Sequence, residues 1–325
     1  MDLRQLRYFV GVVQAGSVSR AADQLHVAQS AISHHLASLE SELDRQLVTR
    51  GPKGITLTEA GSVLYRHAEA ILRQVEFAKQ DAVKALNVPS GGVSIGLPGV
   101  LVPLLGYELF KRVRSAYPQI LLHVSETNGW LLRERLVNGR LDIAVLFVGR
   151  PERGISIEPL VLEELFLVTA DPDNSPIRIA DAAQRTLLMA AAGSNSRRVI
   201  QEAFNKHGLT VTPAAEIDTI SVIRRLIAEG IGDSIMPWSA LYDGEGKIAL
   251  NHRRFEDARL VRPVALCFSE VGQRSPAVDA VALMVKSLVR ELVESGTWQG
   301  ASLIDASKEP SPCLAPARNP ELDAL

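Results

Sequence analysis

Gln29, Ser30, Ser33 and His34 are the side chains of this 325-residue chain whose types and spacing best suit a shared chemical task. Together with Ala37 they occupy one face of a helix if Ile32, Leu36 and Leu39 fill the other. All are small or hydrogen-bonding, and none is a carboxylate that would repel phosphate. Such a ridge fits a duplex major groove about 12 Å wide, where Gln, Ser and His bond to base edges. An ordinary solvated helix face would look the same on these residues alone. The balance shifts with Arg50-Gly51-Pro52-Lys53-Gly54, a tight basic turn from which Ile55-Thr56-Leu57 returns as a short strand. A basic hairpin beside such a helix is a wing that reaches phosphate or the minor groove. The candidate contacts to double-stranded DNA are therefore Ser17, Gln29, Ser30, Ser33, His34, Arg50, Lys53 and Thr56.

Other chemistries find less support. Of the seven histidines, only His34 and His35 are neighbours, and adjacent helical side chains diverge by about 100°, too far to share one ion. Gly92, Gly96 and Gly99 miss the dinucleotide-binding spacing, and neither a phosphate-binding loop nor a nucleophile elbow occurs. Cys267 and Cys313 are too few for a disulfide framework. The expectation is a protein that is not an enzyme and carries no cofactor and no metal.

The elements that must position the ridge follow from periodicity. Leu6, Phe9, Val10 and Val13 form the apolar stripe of a first helix, which Gly16 ends. Ser17 stands at the N-cap of a second, with Ala21, Ala22 and Leu25 inward. Only His26-Val27-Ala28 separates it from a third, about Gln29 to Leu43, which makes a helix-turn-helix. Thr58 then caps a long helix running to about Asn87. Along it Leu64, Ala68, Ile71, Val75, Ala78 and Ala82 make a heptad seam flanked by charge, read as a dimerisation surface. The alternative is a helix packed on its own domain's core.

The run Ser17-Val18-Ser19-Arg20-Ala21-Ala22-Asp23-Gln24-Leu25-His26-Val27-Ala28-Gln29-Ser30-Ala31-Ile32-Ser33-His34-His35-Leu36 closely resembles the winged helix-turn-helix of LysR-type transcriptional regulators. Leu39-Glu40, Leu43, Leu47, Arg50 and Leu57-Thr58-Glu59-Ala60-Gly61 extend the resemblance over about sixty residues, and the order of later elements carries it to about residue 295. Within the family, the opening Leu3-Arg4-Gln5-Leu6-Arg7-Tyr8-Phe9 and the strand Val93 to Leu97 are most similar to nitrogen assimilation control proteins. The resemblance implies a homodimer or homotetramer on pseudo-palindromic promoter sites, with a small-molecule effector and RNA polymerase as further partners. The chain departs from the family at Ser30 (often Pro), His34 (often Arg), Asp44 (commonly Gly) and Val48 (usually Phe). His34 lacks the fixed charge and bidentate fork of Arg, so base preference transfers least.

Pro89-Ser90-Gly91-Gly92 breaks the long helix. Strands at Val93–Leu97, Ile120–Val124 and Ile143–Phe147 then alternate with helices, and the rhythm restarts with Leu165–Thr169, Thr186–Ala190, Ala215–Ile217 and Ser234–Met236. This implies parallel α/β sheet in two lobes that meet at a cleft. The fold class expected is therefore α plus α/β: a winged helix-turn-helix over 1–58, a linker helix over 59–88 and a two-lobed, periplasmic-binding-protein-like effector domain over 89–296. Lobe I takes 92–161 and 266–295, and lobe II takes 162–265. Ligands bind beyond strand ends and at helix N-termini, which selects Val100, Leu101, Asn128, Gly129, Phe147, Ser194, Asn195 and Thr219 as effector contacts, with N-capping the plainer role for Ser194 and Asn195. The loop from Pro98 to Leu101 offers no hydroxyl to an acid, which leaves an apolar ligand or none. Proline-rich residues 297–325 read as a disordered tail, with Trp298 able to dock on the core.

Composition limits the partners. A net charge of −2 with 22% charged and 46% hydrophobic residues suits a globular protein without a global attraction for polyanions. Over 1–58, six basic residues (Arg4, Arg7, Arg20, Arg45, Arg50, Lys53) meet five acidic ones, so DNA binding must rest on arrangement. No apolar run spans a bilayer and Met1 to Arg7 lacks a secretory signal, from which no membrane partner and a cytoplasmic location are expected. The competing function is a cytoplasmic small-molecule receptor without sequence-specific DNA binding, its N-terminal helices serving only association.

Overall fold

The computed structural model describes residues 1–51, 54–83, 89–148, 153–244, 250–271 and 274–304, without the side chains of 73, 77 and 80–83. Lys53 and Cys313 lie outside the described residues, as does the side chain of Ala82.

Three helices form the head: α1 (Leu3–Ala15), α2 (Val18–Leu25) and α3 (Gln29–Leu43). A capping box at Asp2 and Gln5 starts α1, and Gly16 ends it in the left-handed region at φ 64°. His26 and Asp44 adopt the same conformation at the ends of α2 and α3, with φ 54° and 49°. Asp tolerates this region better than most non-glycine residues, so Asp44 serves where the family commonly has Gly. The hairpin β1 (Val48–Gly51) and β2 (Gly54–Leu57) completes a winged head, whose core holds Phe9, Ala21, Ile32, Leu36, Leu39 and Leu47.

Helix α4 (Glu59–Val83) leaves the head, capped by Thr58, whose Oγ1 accepts from Gly61 N at 2.9 Å. Here the sequence expectation needs correction. Ala68 is 0% exposed and Leu64 packs beside it, both in the head's own core. Of the seam, Ile71 at 37% exposure and Ala78 remain outward, and Val75 is half-buried. A three-helix head of about 45 residues cannot close its core unaided, so the first turns of α4 supply the missing wall.

The second half is built on an eight-stranded mixed sheet rather than the parallel sheet expected, with one separate two-stranded parallel pair. Strands β3 (Gly91–Leu97), β4 (Ile120–Glu126) and β5 (Ile143–Phe147) are parallel, with α5 (Tyr107–Ala116) and α6 (Gly129–Val137) between them. Two long strands, β6 (Ile155–Thr169) and β11 (Val261–Ser269), then run antiparallel to each other, and β11 also runs antiparallel to β5. Pro159 and Glu158 interrupt the apolar pattern of β6 and hide its first half from periodicity. The ladder accommodates them with a register shift between Val264 and Ala265, the irregularity where a strand proline is tolerated.

Residues Ile155–Glu164 of β6 pair with β11 in lobe I. Residues Leu165–Thr169 pair with β9 (Ser234–Pro237) and β10 (Asn251–Arg253) in lobe II. The chain therefore crosses outward near Glu164 and returns near Leu260, not at 161 and 265. The cores agree: Val264 packs in lobe I, whereas Leu165 and Leu260 pack in lobe II. Helix α7 (Ile179–Ala182), the parallel pair β7 (Leu188–Met189) and β8 (Ala215–Glu216), and helices α8 (Asn195–Lys206) and α9 (Ile220–Ala228) complete lobe II. Helix α10 (Pro276–Glu294) returns to cover lobe I.

Residues 297–304 are not a disordered extension. Trp298 is 1% exposed in the lobe I core, and β12 (Ala301–Leu303) pairs antiparallel with β6. Burial of the indole, with its N–H satisfied by Glu163 Oε1 at 2.9 Å, outweighs the weak apolar content of this segment. Residues 305–325 lie outside the described residues.

Candidate nucleic-acid interface and inter-lobe cleft

Helix α3 is held by its apolar stripe, since Ile32, Leu36 and Leu39 are buried. The opposite edge is free: Gln29, Ser30 and His34 are exposed and Ser33 is half-buried. Ser19 Oγ donates to Gln29 Oε1 at 3.2 Å, which steadies that amide from α2. The rings of His34 and His35 lie 6.0 Å apart, with His35 edge-on to Tyr8 of α1 at 5.2 Å, so His35 belongs to the packing and His34 to the outer face. Ser17 occupies the N-cap position of α2 but makes no side-chain capping bond.

The wing is fastened to the helices from both of its strands and braced within itself. Leu47 N and Val48 N donate to Glu40 Oε1 at 2.7 and 3.3 Å, tying β1 to α3. Ile55 N donates to Gly16 O at 3.0 Å, tying β2 to the end of α1. Across the ladder, Thr49 and Thr56 hydroxyls meet at 2.6 Å. Between α3 and the wing lies a groove of about 370 Å³, lined by Ser33, Ala37, Glu40, Gln46, Thr49 and Arg50. The structure thus brings Ser33 and Arg50 to one groove, leaving Arg50 and Thr56 exposed. Glu40 escaped the sequence reading as a site residue. Its signal was a carboxylate following the last buried position of α3.

At the cleft, the predicted residues divide. Asn128 caps α6, its Oδ1 accepting from Leu131 N at 2.9 Å, and Ser194 caps α8, its Oγ accepting from Arg197 N at 3.1 Å. Leu101 is 0% exposed within the lobe I core and cannot line a cleft; its apolar side chain gains more by burial. Val100 packs against the cores of both lobes. Asn195 Nδ2 donates across the lobes to Val148 O at 3.3 Å, whereas its buried Oδ1 has no partner among the described residues. Thr219 stands at the N-cap of α9 without a side-chain capping bond.

Phe147 is covered by Arg262, which the sequence reading missed. The guanidinium lies 3.4 Å from the ring centroid and donates to Ser196 Oγ at 2.6 Å. Its other N–H groups reach Glu163 Oε2 at 2.9 and 2.7 Å. Glu163 Oε1 in turn accepts from Ser239 Oγ at 2.5 Å and from Trp298. A single arginine inside the otherwise apolar run Val261 to Phe268 was the available signal, because charges are rarely buried unpaired. Burial disfavours the Arg262 cation, and Glu163 opposes that effect.

A winged reading head, a linker helix and a two-lobed sensor domain together define a DNA-binding regulator. Residues 3–62 match the bacterial regulatory helix-turn-helix protein model of the lysR family, and residues 87–290 match the LysR substrate binding domain model. The chain is 35% identical to the nitrogen assimilation regulatory protein nac of Escherichia coli (strain K12), covering 92% of this chain and 99% of that one. It is 36% identical to the protein of the same name from Klebsiella aerogenes, covering 89% and 95%. Its fold matches a full-length OxyR point variant from Pseudomonas aeruginosa (TM-score 0.72, 22% identity, 95% and 99% covered). It also matches full-length CbnR complexed with its target DNA (TM-score 0.64, 21% identity, 90% and 99% covered). The chain belongs to the LysR family of transcriptional regulators, which bind DNA, form oligomers and are not enzymes. Among the described residues no helix is long and apolar enough to cross a membrane.

Proposed function

We propose that the outer face of α3 reads operator bases through Gln29, Ser30, Ser33 and His34, while Ser17, Arg50, Lys53 and Thr56 hold phosphate or the adjoining minor groove. The observation that carries this reading is the exposed, carboxylate-free start of α3, from which Ser33 lines one groove with Arg50. The site is pseudo-palindromic and is bound in the cytoplasm by a dimer or tetramer, with RNA polymerase as a further partner. The outward part of α4, at Ile71, Val75 and Ala78, with Ala82 in the same seam, supports pairing of two heads. Val100, Asn128, Gly129, Phe147, Ser194, Asn195 and Thr219 surround the place for a small effector, which must compete with Arg262 for Phe147.

Selection from random duplexes tests the reading. The full chain enriches a sequence with two related half-sites, and Ser33→Asp with His34→Glu abolishes the enrichment while leaving the melting temperature unchanged. A chain that enriches no sequence is instead the small-molecule receptor.

A further inference from the structure

Helix α6 joins two places that matter. Its N-terminal half stands at the cleft, where Arg133 Nη2 donates at 2.5 Å to the backbone oxygen of Phe147, the residue whose ring Arg262 covers. Its C-terminus ends against the linker helix. There Asn138, Gly139 and Arg140 wind into a turn held by Arg140 N to Arg135 O at 2.7 Å and Gly139 N to Leu136 O at 2.9 Å. Gly139 has φ 63°, and a Cβ on it would come within 3.3 Å of Ala70 and 3.1 Å of Val271. Ala70, on α4, is accordingly only 5% exposed.

The turn also places Arg140 against α4. Its Nε meets Glu69 Oε2 at 2.6 Å as an ion pair, both atoms shut off from solvent and lacking the alignment of a hydrogen bond. The guanidinium faces the Tyr65 ring, 5.4 Å from its centroid. Burial, then the bond to Glu69, raises the Tyr65 phenol above its ordinary pKa. Glu69 further accepts from Gln14 Nε2 of α1 at 3.5 Å, the longest bond in the chain of contacts. One carboxylate thus touches the sensor domain on one oxygen and the reading head on the other. A short helix is stiff, and α6 of nine residues reaches about 13 Å.

We propose that Arg140 is a positioning residue for DNA binding: through Glu69 it sets the angle of α4 against the sensor domain, and so the separation of the two heads of a dimer. It governs the spacing between half-sites and not the sequence within one. The inference rests on the reading that the head binds DNA. A merely structural role for the pair would change stability and leave spacing alone.

The test uses the full chain with Arg140→Glu, Glu69→Arg, their double exchange, and the milder Glu69→Gln. Duplexes carrying one half-site, and duplexes with two half-sites at separations scanned over a helical turn of about 10 base pairs, are the probes. Single half-site affinity is expected to stay within about twofold, while the preference for the best separation falls about tenfold in the single variants and returns in the double exchange. Unchanged spacing preference in the singles overturns the proposal, as does a double exchange that fails to restore it. Loss of single half-site affinity at an unchanged melting temperature also overturns it, because the pair would then act on reading itself. If Arg140→Glu melts early, Glu69→Gln decides by the same spacing measurement. A parent chain that selects no sequence refutes the DNA reading; one that selects a half-site but is indifferent to separation refutes this inference alone.

Discussion

Arg262 lies over the Phe147 ring, 3.4 Å from its centroid, at the seam between the lobes. Arg262 comes from the strand that returns to lobe I, Phe147 from the end of β5, and the Ser196 hydroxyl that Arg262 bonds from the first turn of α8 in lobe II. The fold thus places a cation, an aromatic face and a helix N-terminus at one point between lobes.

The pair formed by Arg262 and Glu163 is 3% and 0% exposed. Removing one partner strands a buried charge, so Glu163→Leu or Arg262→Leu is expected to cost about 3–5 kcal/mol, whereas the double leucine variant costs much less. Urea denaturation of the three variants measures the difference. Equal losses in single and double variants would show that packing, not charge, dominates.

Gly61 sits in the first turn of α4 under the backbone of the wing. A Cβ there would lie 1.8 Å from Leu47 O, and no side-chain rotation relieves a clash with backbone. Gly61→Ala should lower head stability by about 1–3 kcal/mol or more and loosen the wing. Hydrogen exchange at Leu47 and Val48, whose amides bind Glu40, reads the effect directly.

Arg50 projects from β1 opposite Ile55, clear of the head core. If it holds a phosphate, Arg50→Ala weakens binding to all sequences alike and flattens the slope of log affinity against log salt by about 0.9 per subunit. A change in preferred sequence with an unaltered slope would place Arg50 on a base instead.

Acid should loosen α10 from β6. Burial raises the Glu158 carboxyl, but Lys286 at 2.5 Å and Arg274 at 2.9 Å outweigh it, and the net shift is below the ordinary 4.5. A depressed folded value means that the contribution to stability is full above 4.5 and drains away as the pH falls toward and through that lower value. Between about pH 6 and pH 3 the parent is therefore expected to lose more stability than Glu158→Gln, as thermal melting across that range measures.

The head was the most legible region. Its stripe of Ile32, Leu36 and Leu39, the three-residue turn before Gln29 and the cap at Thr58 are local features, and local periodicity decides them. The linker seam was legible as a pattern but not as a partner: Leu64 and Ala68 satisfy a heptad, yet a heptad does not say which surface it meets. At the cleft, the capping role of Ser194 was legible because a serine before a helical stretch is a local signal, whereas Asn195 lies inside the helix and Asn128 is a cap that the sequence reading had taken only as an effector contact. Arg262 and Glu163 were not, since each bonds to residues tens of positions away, and for Trp298 the docking was legible but not the Glu163 carboxylate it meets.

From its residues alone the chain declares a winged reading head, a long helix and two α/β lobes, because amphipathic spacing, caps and turn residues act over a few positions. Only the folded molecule decides that α4 completes the head, that β6 and β11 run antiparallel where the lobes join, that residues 297–304 are part of the core, and that Glu69 meets Arg140. These depend on which distant surfaces exclude water together, and no short stretch of sequence carries that information.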